Sequence, residues 1–422
     1  MSRQGRLLLI VVLIVTALPV SPVAAQEPQL PVPNCLPFEI DPQTHENYLI
    51  CLPTDRPWNG DLIVFAHGYV APHESMFKYL EQLMLQDGVT IPGLANALGY
   101  AFAATSYRKN GLAVKEGVQD VDRLLTFFEQ NVGPAGRVYL VGASEGGLVT
   151  TLGVEQKSDR FDGGLALCGP IGNFRSQINY WGDFRVLFDY FFPAHQIPNS
   201  AVDINEALVW PNWDAISQAI GGAVLADPSA GAQLLRTSRA PIDPFDPLSI
   251  VTTTIGILSY NVFATNEGKI ELGGQPFDNS RTWYSGSTRD WQLNRSVARF
   301  RADTAALIEI NANYQTSGRL TNPLVTMHTT GDPIVPYWHE TMYTAKTLLT
   351  GSFFKRVNIP IVRYGHCNFT STEALVGFMV LVLRSGGLQP EGVDKLLPDA
   401  AARAEYEHLL KQYAPSEMEG AR

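Results

Sequence analysis

Gly142-Ala143-Ser144-Glu145-Gly146 lies between an apolar run, Arg137 to Val141 (RVYLV), and a helix-forming stretch that opens at Glu145 (EGGLVTTL). No other feature restricts the chain so strongly. A serine on a sharp strand-to-helix turn needs glycine two residues to either side, because a Cβ there would collide with neighbouring backbone. Such a turn requires a buried strand before it and a helix that packs back on the sheet after it. The flanking sequence supplies both. Asp61 to His67 (DLIVFAH), Tyr100 to Tyr107 (YAFAATSY) and Phe161 to Cys168 (FDGGLALC) read as short buried strands, and Glu46 to Leu52 alternates loosely as another. Between Val114 and Val132 apolar residues recur at 114, 118, 121, 125, 128 and 132, one face of a helix. Strands alternating with helices predict an α/β fold built on a mostly parallel sheet.

The alternation stops at Gly169 and resumes only after Leu320. Prolines 193, 198, 211, 241, 244 and 247 mark the joints of this stretch, which reads as helical or irregular. Strand pattern returns with Pro323 to His328 (PLVTMH) and Asn358 to Tyr364 (NIPIVRY), followed by an apolar helix, Glu373 to Leu383. The expected organisation is a leader over 1–25, a first core segment over 26–168, a mainly helical cap inserted over 169–320, and a second core segment with C-terminal helices over 321–422. A chain of 422 residues has room for that arrangement.

The turn also carries chemistry. A serine hydroxyl is a weak nucleophile until a base takes its proton. His366, in Tyr364-Gly365-His366-Cys367 directly after the last strand, is the candidate base for Ser144, and His339 is its strongest rival. A carboxylate must hold that imidazole in one tautomer. Asp332, in Gly331-Asp332-Pro333-Ile334-Val335-Pro336 after the strand PLVTMH, is placed for it. Negative charge developing on a carbonyl oxygen needs two backbone N–H donors. The candidates are those of Glu145, next to Ser144, and of Tyr69, in the Ala66-His67-Gly68-Tyr69 loop.

The N-terminus reads as an export leader, with Arg3 and Arg6 before an apolar run, Leu7 to Val20, and small residues up to Ala25. That run is shorter than the roughly 20 residues a membrane span needs, so no stable membrane anchor is expected. The mature protein is expected to be secreted or periplasmic, after cleavage near Ala25. Four cysteines, Cys35, Cys51, Cys168 and Cys367, then favour two disulfides. Three pairings are open to sequence alone, and a buried free thiol at Cys168 is the alternative. Cys168 and Cys367 both fall at the carboxyl edge of the expected sheet, which favours Cys168–Cys367 with Cys35–Cys51. None are spaced as a metal-binding CxxC pair, and no cofactor motif appears. A net charge of −10 works against nucleic-acid binding.

Taken in chain order, the His67-Gly68 loop, the G-x-S-x-G turn, the Gly331-Asp332-x-x-Val335-Pro336 loop and the Gly365-His366 loop resemble the α/β-hydrolase superfamily. The Gly365-His366-Cys367 ending is also similar to tannase- and feruloyl-esterase-like enzymes, although Ala143 stands where those enzymes carry the partner cysteine. The resemblance covers residues 60–170 and 320–386. It implies a cofactor-free serine hydrolase acting on a small or oligomeric ester, with Ser144, Asp332 and His366 as its triad. A peptidase acting on short peptides is the second reading, and a non-catalytic binding module the third. The aromatic cluster of Tyr180, Trp181, Phe184, Phe188, Tyr190, Phe191 and Phe192 is expected mainly as cap core, with some rings lining a substrate pocket. Arg185, Arg281 and Arg289 are expected mainly in surface ion pairs, with anchoring of a substrate carboxylate as the other reading.

Overall fold

A computed structural model describes residues 34–41 and 46–414. The expected leader, its cleavage region near Ala25, prolines 28, 31 and 33, and His45 lie outside the described residues. Eight strands form one sheet: β1 (Cys35–Asp41), β2 (Glu46–Cys51), β3 (Leu62–Ala66), β4 (Ala101–Thr105), β5 (Val138–Ala143), β6 (Gly163–Leu167), β7 (Leu324–Gly331) and β8 (Arg356–Tyr364). Their spatial order is β1-β2-β4-β3-β5-β6-β7-β8. From β4 to β8 every neighbouring pair is parallel, while β1 and β2 add an antiparallel edge.

The central strands are apolar on both faces because both faces are covered. Along β3, Ile63 and Phe65 enter one core layer, while Leu62, Val64 and Ala66 enter the other. The helices Val114–Asn131 and Glu145–Gln156 contribute to the second layer, and the helix Ser371–Arg384 to the first. That last helix starts before the expected Glu373, because Thr370 caps it. The Thr370 hydroxyl accepts the Glu373 N–H at 3.2 Å and Glu373 Oε2 accepts the Thr370 N–H at 2.9 Å. Strand β1 was not expected from its proline-rich surroundings. Pro37 is tolerated because β1 is an edge strand, where a missing N–H need not break a ladder.

Both disulfides pair as the edge argument favoured. Cys35 and Cys51 are direct cross-strand partners in the β1–β2 ladder, and Cys168 joins Cys367. Between β6 and β7 the chain adds no strand to the sheet. Its helices, chiefly Phe174–Phe191, Trp213–Ala226, Pro228–Ser238 and Ser249–Glu271, close around a separate apolar cluster containing Phe184, Leu187, Phe188, Leu234, Ile257 and Leu258. Arg185 corrects the surface ion-pair expectation. It is fully buried in this cluster, donating to Asp189 at 3.0 Å, Asn261 at 3.1 Å and the Ile197 carbonyl at 2.6 Å. All its donors serve the insertion's own packing, so it is not placed to anchor a substrate. Among the described residues no helix is long and apolar enough to cross a membrane.

The glycines of the turn are demanded by contact. A Cβ on Gly146 would overlap the Ala66 carbonyl, and one on Gly142 would overlap the Gly146 carbonyl. Backbone on both sides leaves nothing flexible to yield. Gly146→Ala is therefore expected to destabilise the protein by more than about 3 kcal/mol. Denaturant unfolding of the variant checks this, and a loss within about 1 kcal/mol would contradict the packing described.

Candidate active site

Ser144 follows the last residue of β5 and caps the helix Glu145–Gln156, at φ 57° and ψ −121°. A non-glycine residue at positive φ is strained, and the surrounding bonds hold it there. The Ser144 N–H donates to the Leu167 carbonyl at 2.9 Å, and its own carbonyl accepts the Gly147 N–H at 2.9 Å. The strain lifts the hydroxyl out of the sheet edge toward the loops that end β7 and β8.

Those loops carry the two partners proposed from sequence. His366 Nε2 lies 2.8 Å from Ser144 Oγ, and His366 Nδ1 lies 2.7 Å from Asp332 Oδ2. The carboxylate accepts from Nδ1–H, which leaves Nε2 to accept the serine hydroxyl proton. Three ties position His366. Thr329 Oγ1 donates to the Gly365 carbonyl at 2.5 Å, the Gly365 N–H donates to the Gly331 carbonyl at 3.2 Å, and Cys367 is crosslinked to Cys168 at the end of β6. Cys168, His366 and Cys367 bring three donor atoms within 4.8 Å of one another, but the disulfide leaves no thiolate for a metal.

Asp332 is completely buried. Its Oδ1 accepts the Ile334 and Val335 N–H groups, both at 2.9 Å. Burial alone would raise its pKa. The charge of His366 and the contacts to His328 and His366 outweigh that effect and lower it to about 2. The first insertion helix fixes the same loop from above: Tyr180 Oη donates to the Pro333 carbonyl at 2.8 Å, and Gln177 Nε2 and Trp181 Nε1 donate to the Ile334 carbonyl at 2.8 and 3.1 Å. Two members of the aromatic cluster thus hold the acid loop in place, a role their sequence did not reveal.

The loop after β3 is held in one orientation. His67 Nδ1 donates to the Gly68 carbonyl at 2.6 Å, and the Gly68 N–H donates to Gln82 Oε1 at 2.6 Å. Gln82 Nε2 reaches back to the Gly68 and Tyr69 carbonyls at 3.4 and 3.3 Å. In a trans peptide the N–H points opposite to the carbonyl, so turning the Gly68 carbonyl toward His67 turns the Tyr69 N–H away from it. Among the described residues neither the Tyr69 N–H nor the Glu145 N–H donates to a protein acceptor. A Cβ on Gly68 would come within 3.1 Å of Ser144 Cβ, which brings this loop against the serine. Gln82 went unnoticed in the sequence because nothing local connects it to Gly68.

The rival histidine has another task. His339 is buried, with Nδ1 accepting the Gly172 N–H at 3.0 Å and Nε2 donating to Gln177 at 2.7 Å. It braces the start of the insertion. A cavity opens beside Tyr69 between the helices Phe174–Phe191 and Ser249–Glu271, walled by Tyr69, Phe174, Trp181, Tyr260, Leu272 and Phe277.

The strand order and the Ser144 turn between β5 and its helix define an α/β-hydrolase fold. No protein-family model and no curated protein matches the chain. Among solved structures it is similar to an acylaminoacyl peptidase of Pyrococcus horikoshii, at 15% identity and TM-score 0.41 over 83% of this chain. The matched region is 42% of that peptidase's length, so the chain spans less than half of it. It is similar also to the rice cell wall degrading esterase LipA from Xanthomonas oryzae, at 13% identity and TM-score 0.41 over 83% of this chain and 86% of that one. Est1E from Butyrivibrio proteoclasticus aligns at 12% identity and TM-score 0.34, over 82% and 95% of the two chains.

Glu145 yields a pH prediction. Burial is the main cause that raises its carboxyl to about 8, against the opposing Ala113 N–H bond at 2.9 Å. The folded state thus holds a proton that the unfolded chain releases near pH 4.5. The stabilisation is complete below that pH and is lost as pH rises through about 8, with a slope of up to about 1.4 kcal/mol per pH unit. Glu145→Gln is expected to flatten the fall in stability between pH 5 and 8, read by denaturant unfolding. An unchanged slope would mean that the carboxyl is ionised in the folded protein.

Proposed function

We propose that the protein is a secreted serine hydrolase that cleaves carboxylic esters through an acyl-enzyme on Ser144. The observation that carries the reading is the unbroken chain from Ser144 Oγ to His366 Nε2 at 2.8 Å and from His366 Nδ1 to Asp332 Oδ2 at 2.7 Å. In this reading His366 takes the Ser144 proton as Oγ attacks the ester carbonyl. The oxyanion accepts hydrogen bonds from the Glu145 and Tyr69 N–H groups, and His366 then hands the proton to the leaving alkoxide. Water, deprotonated by His366, attacks the acyl-serine, and His366 returns that proton to Ser144 Oγ as the acid is released.

The cavity supports an ester with a bulky apolar or aromatic part. Several of its polar side chains are already engaged, among them Lys269, whose Nζ donates to the Val202 carbonyl at 2.9 Å, and Asn261, whose Nδ2 donates to the Ala201 carbonyl at 2.9 Å. Aromatic and aliphatic surface is what remains for a ligand. The helical insertion acts as the cap that provides this wall. Export agrees with the two disulfides.

A fluorophosphonate probe is expected to label Ser144, and Ser144→Ala to lose about 10⁴-fold or more in turnover. Labelling at another serine would refute the assignment. p-Nitrophenyl acyl esters should react far faster than aminoacyl p-nitroanilides; the reverse order would replace the esterase reading with a peptidase.

A further inference from the structure

Behind the acid lies a second imidazole. His328, on β7, is fully buried and meets Asp332 at the same carboxylate oxygen as His366. Its Nε2 lies 2.7 Å from the Val335 carbonyl and 3.4 Å from Asp332 Oδ2, the oxygen that also receives His366 Nδ1. Its Nδ1 lies 3.1 Å from Glu340 Oε1. Glu340 is in turn paired with Arg356 of β8 and accepts the Thr326 hydroxyl at 2.7 Å on Oε2.

Hydrogen-bond roles settle the state of this ring. A carbonyl can only accept, so Nε2 must carry a hydrogen. Glu340, paired with a guanidinium that cannot lose its proton, is an ionised acceptor, so Nδ1 must carry one too. A histidine with both nitrogens donating is a cation. Resting charge then balances along the row: Asp332 negative, His328 positive, Glu340 negative, Arg356 positive. Without His328 the buried Asp332 carboxylate would have His366 alone to meet it at Oδ2, and a poorly paired buried charge is strongly disfavoured.

We propose that His328 is a positioning residue, a standing buried counter-ion that keeps Asp332 ionised and fixed and so sets how readily His366 takes the Ser144 proton. The proposal rests on the triad reading above. The other groups facing His328 do not compete for this role. His339, on the helix Trp338–Thr350, accepts a backbone N–H and is held neutral by burial. Tyr337 presents its ring edge-on at 5.8 Å, and Tyr180 and Tyr260, near Asp332, are phenols held neutral by burial. The electrostatics agree: burial opposes the charge on His328, but Asp332 and Glu340 outweigh it and raise the ring to about 10.

Two measurements on the full chain test this. Nitrogen NMR of histidine-labelled protein should find both His328 nitrogens protonated at pH 7 to 8; a ring with one bare nitrogen overturns the proposal. This arm needs neither a variant nor a substrate, so it decides even if a variant fails to fold or the esterase reading fails. In His328→Gln a positive charge beside Asp332 is gone, which makes protonated His366 easier to form. The acid-side fall of kcat should then move up by about one pH unit, while the loss of the partner that fixes Asp332 lowers the plateau kcat about tenfold with KM within about twofold. If the ring serves packing alone, the acid-side fall stays where it is in wild type, and the proposal is wrong. If wild type shows no hydrolysis at all while His328 is doubly protonated, it is the triad reading that fails.

Discussion

Burying the carboxylate of Asp332 is the constraint on which the rest of the site depends. An ionised group with no access to water must find donors for both oxygens and a charge to balance its own. Two backbone N–H groups of its own loop satisfy Oδ1, and two imidazoles meet at Oδ2. Each of these partners must itself be held, and the surrounding structure is organised around holding them. His366 is tied through Gly365 and the Cys168–Cys367 bridge, and His328 through Glu340 and Arg356.

The insertion contributes to that support as well as to the cavity wall. Its first helix donates three side-chain hydrogen bonds to the carbonyls of Pro333 and Ile334, the residues directly after Asp332. Ile334 and Val335 in return pack into the insertion's own apolar cluster. The acid loop is thus shared between two cores, and a shift of the first insertion helix would be felt at Asp332. His339 adds a further tie by accepting the N–H groups of Gly172 and Asn173, just before that helix begins.

The opposite side of the serine is arranged by the same logic with neutral groups. His67 is buried and pushed down to about 4, chiefly by desolvation, so it is an uncharged donor to the Gly68 carbonyl. Gln82 answers the Gly68 N–H and the carbonyls of Gly68 and Tyr69. With those groups committed, the Tyr69 N–H has no protein acceptor among the described residues. Charge is concentrated behind His366, where the proposed reaction would form a cation, and kept away from the loop, where it would form an anion.

Sequence by itself determined the parts whose signals are local. Periodicity marked the strands and helices, and the steric demand of the Ser144 turn required glycine at 142 and 146. Loop positions after strands singled out Asp332, His366 and Tyr69, and the structure brings the first two into hydrogen-bond contact with each other and with Ser144 in a continuous chain. Strand β1 escaped notice because its pairing depends on an antiparallel partner and a crosslink, not on its own pattern. The roles of His328, His339, Gln82, Arg185 and Trp181 were decided only by the tertiary structure. Each of these side chains meets a partner that comes close only after the sheet and the insertion have packed: Glu340 and Arg356 for His328, Gly172 for His339, Gly68 for Gln82, Asn261 for Arg185, Ile334 for Trp181. An imidazole reads the same in sequence whether it serves as base, brace or counter-ion. What distinguishes His366, His339 and His328 is which acceptors and charges the fold places within about 3 Å of each ring nitrogen.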